Sequence, residues 1–256
     1  MRDDDFLLSG YERILRAALD GGYAFASFSD IGRDAASKTC LLRHDIDSEL
    51  LGCASMLAVE RALGVRATYF LMIRSTAYNL FSVEGRAMVE RILAGGHRIG
   101  LHFMGELCEN DAPATLAQKV RREADWLEAE FGQQIDAVSF HQPSRAVLDG
   151  EVRVPGLVNT YNRSQMGEYF YVSDTNMQWR HEHPVEIFGG TLYPRLQLLI
   201  HPMWWPARPR TLAQRWLDVL RVNDRAVLHH WQKRERTLAG MNLESGIRDV
   251  PDDAQT

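Results

Sequence analysis

From Thr39 onward the sequence alternates short apolar runs with longer amphipathic stretches, and this order constrains the chain more than any other feature. Short apolar runs read as strands buried on both faces, and helix-length stretches between them read as crossovers, so the repeat predicts parallel βαβ units. Cys40–Arg43, Ala67–Met72, Arg98–Leu101, Ala137–Phe140, Tyr169–Val172 and Leu196–Ile200 are the expected strands. Leu50–Leu63, Gly85–Ala94 and Leu116–Phe131 are the expected helices between the first four. Ala94-Gly95-Gly96 and Gly132 stand where a left-handed helix end favours glycine.

The flanks read as helical. Tyr11–Leu19 carries Ile14, Leu15 and Ala18 at helical spacing and stops before Gly21-Gly22. Thr211 is an N-cap residue followed by Leu212, Trp216, Leu217 and Leu220, which predicts closing helices packed outside the sheet. One α/β domain is expected: 1–38 as an N-terminal helical extension, 39–206 as the core, and 207–256 as a C-terminal helical segment and tail of the same domain. The polar stretch Arg248–Thr256 reads as structure-poor.

Charge narrows the function classes. A formal net charge of -5 and a pI near 6.0 argue against a nucleic-acid partner, which needs a basic face to displace counterions. The run Lys119–Arg122 is answered by Glu123, Asp125, Glu128 and Glu130 on one helical stretch, a solvated face. No apolar run is long enough to cross a bilayer, and Met1–Leu7 lacks the order of a secretory signal, so a cytoplasmic protein without a membrane span is expected. Cys40, Cys53 and Cys108 share no paired spacing and read as small buried apolar residues.

In parallel α/β folds the side chains just past the strand ends converge on one face, where active sites are built. Here those positions hold His44, Asp45 and Asp47, then His102, His141, Asp174 and His201. Carboxylate and imidazole together match a divalent metal of the zinc type. Alternation along a strand puts Asp45 and Asp47 on one face.

RHDID at Arg43–Asp47, ATYFLMI at Ala67–Ile73, GHRIGLHF at Gly96–Phe103, FHQPS at Phe140–Ser144, SDTNMQW at Ser173–Trp179 and LLIHP at Leu198–Pro202 follow in order. This set resembles the polysaccharide deacetylase, or NodB-homology, family over roughly Leu41 to Trp205. The resemblance implies a distorted (β/α)7 barrel whose metal site hydrolyses N-acetyl or related amide groups on sugars. It makes Asp45 the catalytic base and Asp47 the metal-binding acid, although Ile46 separates two aspartates that family members commonly have adjacent, so the roles could be exchanged or His44 could take part. His102 is the leading metal ligand.

Four residues beyond His102 the pattern has a second histidine where this chain has Glu106, open to binding the metal, a substrate hydroxyl or water. His141 is the candidate third ligand; it could equally bind substrate or a neighbouring side chain. Asp174 resembles the acid that orients a catalytic partner, Trp179 the aromatic wall, and His201 the general acid. Trp204 could stack on a sugar ring, and Arg180 could hold an anionic group or a surface acid. The expected cofactor is a divalent metal, zinc first, and the expected partner a sugar or saccharide precursor for surface polysaccharide. Two other readings stay open: hydrolysis of a cyclic amide, and a degenerate saccharide-binding protein without catalysis.

Overall fold

The computed structural model describes residues 5–33, 37–108, 110–150 and 152–243; the tail expected from Arg248 lies outside them. The chain forms two compact units, Met1–Pro209 and Arg210–Thr256.

The first unit runs α1 (Leu8–Asp20), β1 (Ala24–Ala26), β2 (Thr39–Ile46), α2 (Cys53–Leu63), β3 (Thr68–Leu71), α3 (Val83–Ala94), β4 (Arg98–Met104) and α4 (Pro113–Phe131). It continues through β5 (Ala137–His141), α5 (Arg145–Leu148), β6 (Val158–Asn159), α6 (Arg163–Met166), β7 (Phe170–Ser173), α7 (Pro184–Gly189) and β8 (Arg195–Ile200). The strands pair in parallel in the order β6-β5-β4-β3-β2-β8-β7. This is the expected distorted (β/α)7 barrel, open between β6 and β7. β1 is an addition: it pairs with Thr39–Leu41 of β2, while β3 pairs with Arg43–Ile46 further along the same strand.

Local chemistry accounts for the helix ends. Gly64 and Gly132 close α2 and α4 with φ of 66°, which costs glycine nothing. After α3 the left-handed residue is Gly96, one position past Gly95. The segment before residue 39 packs Tyr11, Ile14, Leu15 and Ala18 of α1 fully into the core.

Every residue of β2 is buried, and its two faces meet different surroundings. Cys40, Leu42 and Ile46 join the large core under the helices, whereas Leu41 joins Phe28, Phe70, Ala137 and Met166 in a separate small cluster. Alternation therefore sends Arg43 and Asp45 with Leu41, and His44 outward with Leu42.

On that outer face a polar knot ties four elements together. The buried Glu60 carboxylate of α2 accepts from Tyr11 Oη at 2.5 Å and Tyr69 Oη at 2.6 Å, and contacts His44 Nε2 at 2.6 Å. Burial would raise the Glu60 carboxyl, but His44 beside it outweighs this and holds it below its ordinary range. A buried carboxylate survives because its lone pairs are filled. His44 is thus committed to Glu60 and does not join the aspartates, correcting the expectation that it could act with them. Glu60→Ala would leave two tyrosines and a histidine without their acceptor. It should cost about 3–5 kcal/mol, read as a fall in the urea midpoint with an unchanged slope.

Candidate active site

Strand register delivers the polar residues to one end of the barrel. Asp45 lies near the end of β2, opposite Phe70 of β3, and Asp47 follows directly. His102 of β4 lies opposite Ser139 of β5, and His141 closes β5. Asp174 and His201 follow the paired strands β7 and β8.

Three linked contacts organise these groups. Arg43, fully buried, grips Asp45 with two parallel hydrogen bonds, Nε to Oδ1 at 2.8 Å and Nη2 to Oδ2 at 2.6 Å. Its guanidinium also donates to Thr160 Oγ1 at 3.0 Å and Tyr161 Oη at 3.1 Å, and lies against the rings of Phe70 and Tyr161. Burial would raise Asp45, but the guanidinium outweighs it and holds the carboxyl well below the usual range.

The second contact joins β2 to β4 and β5. Ser139 Oγ donates to Asp45 Oδ1 at 3.3 Å, and His102 Nδ1 contacts the same hydroxyl at 2.7 Å. His102 Nε2 is left facing Asp47 Oδ1 at 2.9 Å. Asp47 is the more open aspartate, with 26% of its side chain exposed against 3% for Asp45. Burial would raise its carboxyl; the His102 hydrogen bond holds it below the ordinary value.

The third contact fixes His201. Buried Asp174 accepts the His201 backbone N–H at 2.8 Å and Trp205 Nε1–H at 2.8 Å, and meets His201 Nδ1 at 2.6 Å. Burial alone would push the imidazole down; the Asp174 carboxylate outweighs it and lifts the pKa to about 9. His201 Nε2 then looks across 4.0 Å at Asp47 Oδ2.

These groups border a cavity of about 320 Å³ whose lining includes Asp45, Asp47, His102, His141, His201 and Trp204. Tyr161 and Tyr171 supply further aromatic wall. Two loop residues on the rim, Gln142 and Asn176, hold positive φ of 47° and 58°, a strained backbone typical of functional sites. Gly105 lets the loops after β4 and β5 approach, since a Cβ there would lie 2.8 Å from His141 O. Glu106 does not stand free: its Oε1 meets His141 Nδ1 at 2.8 Å. Trp179 and Arg180 are not among the residues lining the cavity. Trp179 packs against Phe6 and Trp205, and Arg180 is exposed.

The donor chemistry suits a zinc-type ion only in part. Asp47 and His102 are a carboxylate and an imidazole in direct contact, yet among the described residues no group of three or more His, Cys, Asp or Glu is arranged to hold a metal. His141 sits with its ring 5.7 Å from that of His102 and nearly perpendicular to it.

No family model matches the sequence, and no curated protein sequence matches it. Several solved structures overlay on the chain. A Streptococcus mutans CE4 esterase is 14% identical, with 83% of this chain and 90% of that one covered and a TM-score of 0.48. The chitin deacetylase of the fungal pathogen Colletotrichum lindemuthianum is 15% identical, with 72% and 81% covered and a TM-score of 0.46. A CE4 family pseudoenzyme from Bacillus anthracis is 13% identical, with 75% and 61% covered and a TM-score of 0.42. The chain is similar to these proteins, and at such scores none assigns a role to a residue here.

Sequence reasoning missed Arg43 and Ser139. Arg43 was within reach, since strand alternation puts residues 43 and 45 on one face; Ser139 shows as one polar residue inside an apolar run. The His201–Asp174 contact has a defined pH signature. A raised histidine pKa means that the stability it contributes is complete below about 6.5 and is lost as pH rises through about 9. Asp174→Asn should bring the His201 titration, followed by NMR, down towards about 6.5; a titration left near its wild-type position would refute the assignment.

Proposed function

We propose that this chain is a hydrolase of the polysaccharide deacetylase type, which removes an N-acetyl or related acyl group from a sugar or surface-polysaccharide precursor. One observation supports it most: two aspartates, Asp45 and Asp47, and the histidine His201 line the same cavity, with His201 Nε2 4.0 Å from Asp47 Oδ2. A carboxylate base and a histidine acid beside a bound amide are what its hydrolysis needs.

Asp47 and His102 would hold a divalent metal, zinc by donor chemistry, with His141 as third ligand. Both imidazoles have Nδ1 engaged, by Ser139 and by Glu106, which is how ligating histidines are oriented. Glu106 would thus act on His141 as an orienting carboxylate. When bound, such an ion supplies Lewis acidity at an acyl oxygen and a more acidic water.

Asp45 takes the proton of the attacking water, its plane fixed by Arg43. A C–O bond forms, the C–N bond breaks, and His201 gives its proton to the departing nitrogen, leaving an amine and a carboxylate product. Trp204, with Tyr161 and Tyr171, offers aromatic surface to a sugar ring. A cytoplasmic site would meet a nucleotide-linked or lipid-linked sugar rather than an assembled wall.

Two observations favour second readings. Asp47 is more open than Asp45, which favours exchanging the base and ligand roles. That no group of three ligands among the described residues is already arranged around a metal position favours a saccharide-binding protein without catalysis.

The discriminating experiment is Asp45→Asn and Asp47→Asn, each assayed for acetate release from N-acetylated amino sugars and for bound metal, with circular dichroism to confirm folding. Asp45→Asn should lose on the order of 10²-fold or more in rate and keep its metal, whereas Asp47→Asn should lose metal. The converse pattern exchanges the roles. Wild-type protein without metal or acetate release that still binds saccharide would overturn the hydrolase.

A further inference from the structure

The groove between α2 and α3 has a chemistry that the hydrolase reading does not use. Its volume is about 810 Å³, within the range of small-molecule sites, and all its walls belong to the first unit. Ala54, Leu57, Ala58 and Ala62 recur along α2 at helical spacing and make one wall apolar over about 12 Å of helix. The charged groups gather towards one end. Arg61 stands in the last turn of α2 and Arg91 in the last turn of α3, both exposed. Neither guanidinium has a hydrogen-bond or ion-pair partner among the described residues, and no carboxylate among those residues lines the groove.

At the same end lies a buried hydrogen-bond donor without an acceptor. His97 follows α3, is only 3% exposed, and lines the groove. Its Nδ1 accepts the Ala67 backbone N–H at 3.2 Å, so the neutral ring carries its proton on Nε2. Burial holds this imidazole below its ordinary pKa and keeps it neutral. Nε2 meets no partner among the described residues, and a buried N–H left unpaired costs free energy that an incoming acceptor restores. Gly95, exposed in the groove, leaves the approach open: a Cβ there would lie 3.0 Å from Nε2. Glu60 does not repel an anion strongly from this place. It stands at the other ring nitrogen, 3.4 Å from Nδ1, with its carboxylate already answered by His44, Tyr11 and Tyr69.

Two unpaired cations and a buried N–H at one end of an apolar trough call for a ligand with an anionic, hydrogen-bond-accepting head and an aliphatic body. A small inorganic anion would leave the alanine wall uncovered, and a neutral lipid would leave both guanidiniums unanswered. We propose that the α2–α3 groove binds an aliphatic carboxylate, with its head between Arg61 and Arg91, one oxygen accepting from His97 Nε2, and its chain along Ala54, Ala58 and Ala62. Binding then grows with chain length through buried methylenes and falls with loss of either arginine.

The test is calorimetric titration of the full chain with sodium decanoate below its micelle-forming concentration, with NMR of the histidine imidazoles in parallel. Decanoate should bind saturably and shift the His97 signals. Octanoate, two methylenes shorter, should bind about tenfold more weakly, and acetate should not register. Arg61→Gln/Arg91→Gln, which alters only exposed side chains, should weaken decanoate about tenfold or more with unchanged circular dichroism. Gly95→Ala puts a methyl group over His97 Nε2; it should weaken decanoate as well, and serves if the double variant misfolds. Absence of saturable decanoate binding overturns the proposal. So does an affinity that Arg61→Gln/Arg91→Gln retains, which would place the carboxylate elsewhere on the protein, or one that acetate matches, which would make the apolar wall irrelevant.

Discussion

The interior of this barrel depends on one buried ion pair. Arg43 and Asp45 stand two residues apart on the central strand, both almost wholly removed from water. Either charge alone would be untenable there. Together, with every major donor direction of the guanidinium answered, they make a rigid polar centre. Its reach is wide: Arg43 touches Thr160 and Tyr161 beyond β6 and Phe70 on β3, and lies 3.5 Å from Gln197 of β8. The strand order leaves β6 and β7 unpaired with each other, so this side-chain network spans from the inside a gap that main-chain hydrogen bonds leave open.

The same strand carries a second charged network on its other face, and the two explain the stiffness of the site. His44 is held by Glu60, which Tyr11 and Tyr69 also grip, while its neighbours Arg43 and Asp45 are held inside. With both faces anchored, the end of β2 presents Asp47 at a defined position, and Tyr78 Oη secures the carbonyl of Ile46 just before it at 2.5 Å. Preorganisation of this kind lets a site act without reordering itself.

Much of this architecture is legible in the sequence because parallel strands buried on both faces leave plain apolar runs. All six expected strands are present, displaced by a residue or so at most ends, and Asp45, Asp47, His102, His141 and His201 line one cavity, with His44 turned away to Glu60 and Asp174 buried behind His201. What escaped notice has physical causes. β1 and β6 are too short to show periodicity. β2 extends past the expected end at Arg43 through His44, Asp45 and Ile46 because charge pairing on both of its faces substitutes for apolar packing, which an apolar-run criterion cannot see. Glu60 sits in an amphipathic helix like any solvated acid, and only the third dimension shows that His44, Tyr11 and Tyr69 surround it. The His141–Glu106 contact is likewise a matter of loop geometry rather than spacing.

The pairing of β2 with β8 sets when the site can exist. Thr39 lies opposite Arg195 and His44 opposite Ile200, so the central strand, already flanked by β1 and β3 on one edge, gains a neighbour on its other edge only after most of the barrel has been synthesised. Contacts so distant along the chain are slow to form. During synthesis Arg43 and Asp45 must therefore wait, with Gln197 and the β8 edge absent, in a half-built barrel open to water. Asp174 and His201 arrive on the last two strands. The complete constellation thus requires the last two strands, and a chain shortened before β8 would lack both His201 and the strand that pairs beside Arg43.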